Sequence, residues 1–210
     1  MKGSPFRRLV QASRHFMANA QSTVPEWQDL VWHDALADQE IVTRMVDDKR
    51  LRPVIQSVAE SWLSQERWLH TQPERHAAEE ESAPLAHILL EIWQGELGAQ
   101  PMPEVVIAEA GAAPLGVLCG YRDYGQKYFF IEHVALHPAL RATSPRQLWR
   151  NAAGERVCQR LVEAAVDISH RLGFFGWTAC APAPGTESAW NQLKFYRHDD
   201  LTFRRMGYFT

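Results

Sequence analysis

The run from Gly154 to Gly173, Gly-Glu-Arg-Val-Cys-Gln-Arg-Leu-Val-Glu-Ala-Ala-Val-Asp-Ile-Ser-His-Arg-Leu-Gly, constrains this chain more than any other segment. Within it Val157, Leu161, Ala164, Ala165, Ile168 and Leu172 recur at helical spacing and share one face. Gly173 supplies a stop. The helix follows a β-rich run that ends Val134-Ala-Leu-His-Pro138. A strand feeding a long amphipathic helix leaves backbone N–H groups at the helix start, where they and the helix dipole attract an anion. The segment therefore reads as a place to hold a phosphate-bearing ligand.

With 210 residues, 46% of them hydrophobic and 22% charged, the chain can bury one large domain, or a catalytic domain with a helical extension. A net charge of −3 gives no overall basic field, which argues against nucleic acid as partner. Cys119, Cys158 and Cys180 form no Cys-x-x-Cys pair. That usage reads as a reducing compartment without a disulfide framework or a cysteine zinc site. No apolar run reaches the length of a membrane span, and the N-terminus lacks a signal-peptide pattern, so a cytoplasmic protein is expected.

Residues 4–70 read as four helices: "FRRLVQASRHFMANA", "PEWQDLVWHDALA", "DQEIVTRMVDD" and "PVIQSVAESWLSQERWL". In the last, Pro53 suits a helix start, and Ile55, Val58, Ala59, Trp62, Leu63 and Leu69 share a face. Trp27, Trp32, Trp62 and Trp68 read as core rather than as a docking surface. The polar, acidic stretch "TQPERHAAEEES" over 71–82 reads as a connection. It divides a helical segment, 1–81, from a second domain, 82–210. Ser82 and Pro84 open a further helix whose face carries Leu85, Ile88, Leu89, Ile92 and Trp93. "EVVIAEAG", "PLGVLCGYRDY" and "KYFFIEHVALH" read as three strands of an antiparallel meander, and "GWTACAP" as a strand parallel to the third.

The "ALHP" run, the Gly154 helix ending "RLGFFGW", the strand "WTACAP" and the terminal "TFRRMGYF" resemble the GNAT superfamily of acyl-CoA-dependent N-acyltransferases, over residues 104–210. The resemblance implies an α/β fold, a mixed, mostly antiparallel sheet flanked by helices, preceded here by the helical segment. It implies acetyl-CoA or another acyl-CoA as co-substrate, no metal, and an amine acceptor, small molecule or protein. No membrane partner is implied, and a homodimer is compatible with it. In that family the two strands on either side of the helix splay apart and the pantetheine arm lies between them. A Gln/Arg-x-x-Gly-x-Gly/Ala turn wraps the pyrophosphate; here Ala153, Arg156 and Cys158 stand at its Gln/Arg and two glycine positions. The cofactor residues implied are Leu136, Ala153, Gly154, Glu155, Arg156, Val157 and Cys158.

Glu132 and His133 are neighbours on the strand before that turn, where successive side chains point to opposite faces, so at most one is expected in a given cleft. Acylation needs a free amine, and a carboxylate or imidazole can take its proton. A glutamate on this strand often serves in the family, which favours Glu132 as base. His133 and His137 share a strand face but have no third ligand nearby, so a metal is not expected. Two segments compete for the family's acidic tyrosine. "TFRRMGYF" has the spacing but offers Phe203, whereas "KFYRH" offers Tyr196, which is favoured. The loop between Pro138 and Gly154 carries Arg141, Arg146 and Arg150, suited either to phosphate or to solvent. Arg156 and Phe203 also fit an alternative, a GNAT-fold protein that has lost catalysis and binds a ligand or protein partner. Cys119 reads as a small buried residue.

Overall fold

The computed structural model describes residues 40–46, 49–70, 83–111, 113–141, 147–199 and 202–205, with side chains described for all of these except 63–70 and 83. All of them fall in one compact unit, Val31–Thr210. The elements in chain order are β1 (Val42–Val46), α1 (Leu51–His70), α2 (Ala83–Glu96), β2 (Glu104–Ala110), β3 (Ala113–Asp123), β4 (Tyr128–Leu136), α3 (Ala152–Arg171), β5 (Thr178–Cys180), α4 (Glu187–Gln192), β6 (Tyr196–Arg197) and β7 (Phe203–Arg205). The strands form one sheet in the order β1-β2-β3-β4-β5-β7-β6, antiparallel throughout except that β4 and β5 run parallel. This is a mixed α/β architecture with a mostly antiparallel sheet flanked by helices, the fold class expected. The meander β2-β3-β4 and the crossover through α3 to a parallel strand follow the sequence reading.

One expectation is overturned at once. "DQEIVTRMVDD" was expected to be helical, yet Val42–Val46 is a strand paired antiparallel with β2 from Val42↔Glu109 to Val46↔Val105. Val42, Thr43 and Val46 are β-branched and sit easily on a pleated sheet, and the open edge of β2 supplies the backbone partners that a short helix would have to find within itself. β1 is an edge strand of the sheet, and α1 shares an apolar cluster with α2 on one sheet face. The two helices expected before residue 38, the acidic connection over 71–82, Arg146 and the final "MGYF" lie outside the described residues, as do the side chains of Trp27, Trp32 and Trp68.

Each face of the sheet buries its own apolar cluster. On one face α3 and α4 cover Val106, Leu118, Phe129, Ile131 and Leu136 with Val157, Leu161, Ala165, Trp190 and Phe195. On the other, α1 and α2 cover Val105, Ile107, Val117 and Ala135 with Leu51, Ile55, Trp62, Ile88 and Ile92. Each fully buried Leu, Ile or Phe contributes about 1.5–3 kcal/mol relative to exposure. Close approach sets the height of α3 above the sheet. A Cβ on Gly116 of β3 would stand 2.7 Å from Val157 Cγ1 and 2.9 Å from Leu161 Cδ1.

Candidate functional site

The site is built on β4, whose two halves differ. From Phe129 to Ile131 the strand pairs on both sides, with β3 and with Thr178–Cys180 of β5. The β4–β5 pairing ends at Ile131 and Cys180, which leaves a fork there, the β5-side edge of Glu132–Leu136 without a paired strand among the described residues. The direction of the backbone groups follows from alternation. The amide of Phe129 donates to Trp177 O on the β5 side at 3.0 Å, and that of His137 donates to Leu115 O on the β3 side at 2.9 Å. Leu136, one residue from His137, therefore turns its amide toward the fork.

At the fork β4 carries a bulge. Cys119 of β3 pairs with His133 and Gly120 with Ile131, so Glu132 is the extra residue. The bulge switches the facing of the strand. Before it Phe129 and Ile131 point to α3; after it Val134 and Leu136 do, while Ala135 enters the α1/α2 cluster. Glu132 and His133 consequently both lie on the α1/α2 side. The expectation that only one of them could enter a given cleft is thereby corrected, because alternation holds only along an unbroken ladder.

A polar group gathers there that sequence reasoning missed. The His133 ring stacks on His87 of α2 at 5.2 Å with an interplanar angle of 16°. One turn further along α2, the Glu91 carboxylate accepts hydrogen bonds from the Tyr121 hydroxyl and from Gln100 Nε2, which also lies 2.8 Å from Tyr121 Oη. Glu132 reaches solvent, but partial burial of its carboxyl raises it above its ordinary range, and the nearby Glu91 carboxylate adds to the shift. His133 moves the other way, lowered by burial and by His87, with a smaller opposing effect of Glu91. Tyr121 is raised, first by burial and then by its bond to Glu91, which keeps it a donor. The available signal was His87 and Glu91 at i and i+4 beside the apolar face of α2.

His137 shares the facing of His133, as its spacing implied, but it belongs to the core. It is buried edge-on to Trp62 at 5.8 Å, its Nδ1 accepts from the Ala139 amide at 3.2 Å, and burial lowers its pKa to about 4. Among the described residues no group of three His, Cys, Asp or Glu side chains is placed to hold a metal ion. No described helix is long and apolar enough to cross a membrane. Cys119 is buried, as expected.

The start of α3 is more closed than its sequence implied. Asn151 is the N-cap: its Oδ1 accepts from the Gly154 amide at 2.9 Å and its carbonyl from the Glu155 amide at 3.0 Å. Gly154 answers a packing demand, since a Cβ there would stand 2.5 Å from Leu140 O. Ala153, Val157 and Cys158 are buried in the apolar cluster of that sheet face, and Gly154 is buried against Leu140 and Trp149. Of the six turn residues expected to meet a cofactor, only Glu155 and Arg156 present partly exposed side chains. Arg150 is exposed and Arg141 partly so.

Tyr196 is 60% exposed on β6, the outer edge strand, opposite Arg204 of β7. Two strand spacings, about 10 Å, separate it from β5, and three separate it from β4. The structure does not bring it together with Glu132. Phe203 pairs with Cys180 of β5 and packs on the α3-side cluster. Two concavities are lined by neither Glu132 nor Leu136. One of about 630 Å³ between β1 and α3 is lined by Thr43, Met45, Val106, Ala164, Asp167, His170 and Arg171. The other, about 590 Å³, lies between the α2–β2 loop and the end of β3, with Tyr121 in its wall.

No protein-family model matches the chain, and no curated protein matches it. Solved structures of N-acetyltransferases are similar to it. A PaiA N-acetyltransferase from Thermoplasma acidophilum, in complex with coenzyme A, is 14% identical with a TM-score of 0.47, covering 80% of this chain and 99% of that one. An acetyltransferase from Salmonella typhimurium that modifies the N-terminal serine of a 50S ribosomal subunit protein is 12% identical, TM-score 0.45, over 81% of this chain and 96% of that one. An aminoglycoside N-acetyltransferase is 16% identical, TM-score 0.46, over 80% of this chain and 96% of that one.

Proposed function

We propose that the chain is an acyl-CoA-dependent N-acyltransferase that moves an acetyl or other acyl group to an amine, with Glu132 as the base. The observation that carries this reading is the bulge that sets Glu132 at the mouth of the β4–β5 fork. Beside it the fork offers an outward-turned backbone amide at Leu136, suited to a carbonyl oxygen on which charge builds. Glu132 reaches solvent, and its upward-shifted carboxyl is a better base near neutral pH than an unperturbed glutamate. The amine nitrogen forms the new C–N bond and the thioester C–S bond breaks. The amine proton passes to Glu132 directly or through water, and the thiolate takes a proton from water, since Tyr196 stands strands away. For the phosphate end of the donor, the first-turn amides of Ala152 and Ala153 and the side chains of Arg150 and Arg156 are the groups within reach. Val157 and Cys158 contribute only packing.

The acceptor is an amine whose identity an acceptor screen must supply. The test is mass spectrometry of CoA species retained by the purified chain, followed by thiol release from acetyl-CoA across a panel of amines. Retained CoA with amine-dependent thiol release supports the reading. Binding without transfer would leave a ligand-binding module on the same fold, and absence of binding would overturn both.

A further inference from the structure

Glu91 has no part in the chemistry above, yet its carboxylate accepts from donors on two other segments. It lies one helical turn from His87, and the His87–His133 stack lays that face of α2 over the bulge. Its carboxylate is tied to β3 through the Tyr121 hydroxyl and to the α2–β2 loop through Gln100, whose Nε2 also lies 3.3 Å from the Glu91 carbonyl oxygen. A surface glutamate would turn to solvent; this one is fixed by donors from two other segments.

We propose that Glu91 is a positioning residue for the base: the Tyr121–Gln100 clamp holds its negative charge over the β4 bulge, where it makes Glu132 readier to accept the acceptor's proton. The inference rests on the reading of Glu132 as base and adds to it the residue that sets the strength of that base. The titratable groups facing Glu132 are Glu91 and His87 from α2, Cys119 and Tyr121 from β3, and His133 on β4 itself. Cys119 is raised by burial and Tyr121 by burial and its hydrogen bond, so both stay neutral near pH 7. His133 is lowered and tends the same way. Of these groups it is Glu91 whose charge acts on Glu132, and like charges disfavour a second ionisation.

The test is Glu91→Gln in the full chain, which keeps size and an acceptor oxygen for Tyr121 while removing the charge. Two readouts are taken: the acid side of the pH–rate profile for acyl transfer, and carboxyl carbon NMR titration of Glu132, assigned by its loss in Glu132→Gln. Both should move to lower pH by about half a unit or more. Glu91→Asp, which retains the charge, should move them less than Glu91→Gln, whereas a purely structural role would perturb both variants alike. Should Glu91→Gln fail to fold, Tyr121→Phe releases the carboxylate and should shift the Glu132 titration in the same direction. An unmoved Glu132 titration in a folded variant overturns the inference, whatever the activity. A parent that transfers no acyl group, or a Glu132→Gln variant at full rate, overturns the functional reading and with it the positioning role, while the titration still decides whether the charge of Glu91 acts on Glu132.

Discussion

The two faces of the sheet at β4 are built from one strand, yet they do opposite things. Toward α3 the strand presents Phe129, Ile131, Val134 and Leu136, a continuous apolar surface closed by Val157, Leu161 and Leu140. Toward α2 it presents Ala135 and then Glu132 and His133, which meet His87, Glu91 and Tyr121. A strand with strict alternation would have sent Glu132 and His133 to different faces. One extra residue lets the α3 face stay apolar on both sides of the bulge while both polar side chains collect on the other. Packing and chemistry are thereby separated by the thickness of a sheet.

That contrast can be broken by experiment, beginning with the apolar face. Phe129→Ala leaves a cavity beneath α3 and should lower unfolding free energy by about 3–5 kcal/mol in urea denaturation; a loss under about 1 kcal/mol would mean that this face is not the close-packed one. Acidification probes the other face. His137 has a folded pKa of about 4 against an ordinary 6.5, so the unfolded chain takes the proton first. Its contribution is complete above about pH 6.5 and is lost as pH falls toward 4, by up to about 3 kcal/mol. Thermal melts of His137→Gln should show a flatter dependence over that window than the parent.

Glu132→Gln should cut acyl transfer by about 10²-fold with little change in melting temperature, which stopped-assay rates and calorimetry would register together. A large stability loss would instead place Glu132 with the packing residues. Asn151→Ala removes the N-cap of α3 and should cost about 1 kcal/mol, because the Gly154 amide loses its partner. The smallest effect is expected at the edge of the sheet. Tyr196→Phe should leave the rate within about threefold, far from the loss that accompanies removal of a general acid; a fall near 10²-fold would show that β6 reaches the fork.

Much of the scaffold was legible because its signals are local. Val157, Leu161, Ala165 and Ile168 mark the buried stripe of α3 wherever that helix packs, and the β-branched and aromatic runs of β2, β3 and β4 announce strands that any sheet would accept. Val42–Val46 was misread for the opposite reason. Its sequence is short and mixed, and the waiting edge of β2, some sixty residues away, decided the outcome. For the candidate site, the resemblance pointed to Glu132 on the strand before the turn, but Glu91, Gln100, Tyr121 and His87 lie on other elements, and nothing in their own neighbourhoods announces that they gather beside it.

The sequence by itself determined the helices α1, α2 and α3, the β2-β3-β4 meander, the position of the long helix after that meander, and the residue types it carries. Periodicity and local propensity are properties of a stretch of chain and survive without a partner. Only the tertiary structure decided which side of the sheet Glu132 and His133 face, that Asn151 takes the Gly154 amide, and that Tyr196 stands at the far edge. Those outcomes depend on a one-residue shift in register, a cap closed by its own side chain, and the order in which distant strands pair, each set by contacts between segments far apart in sequence.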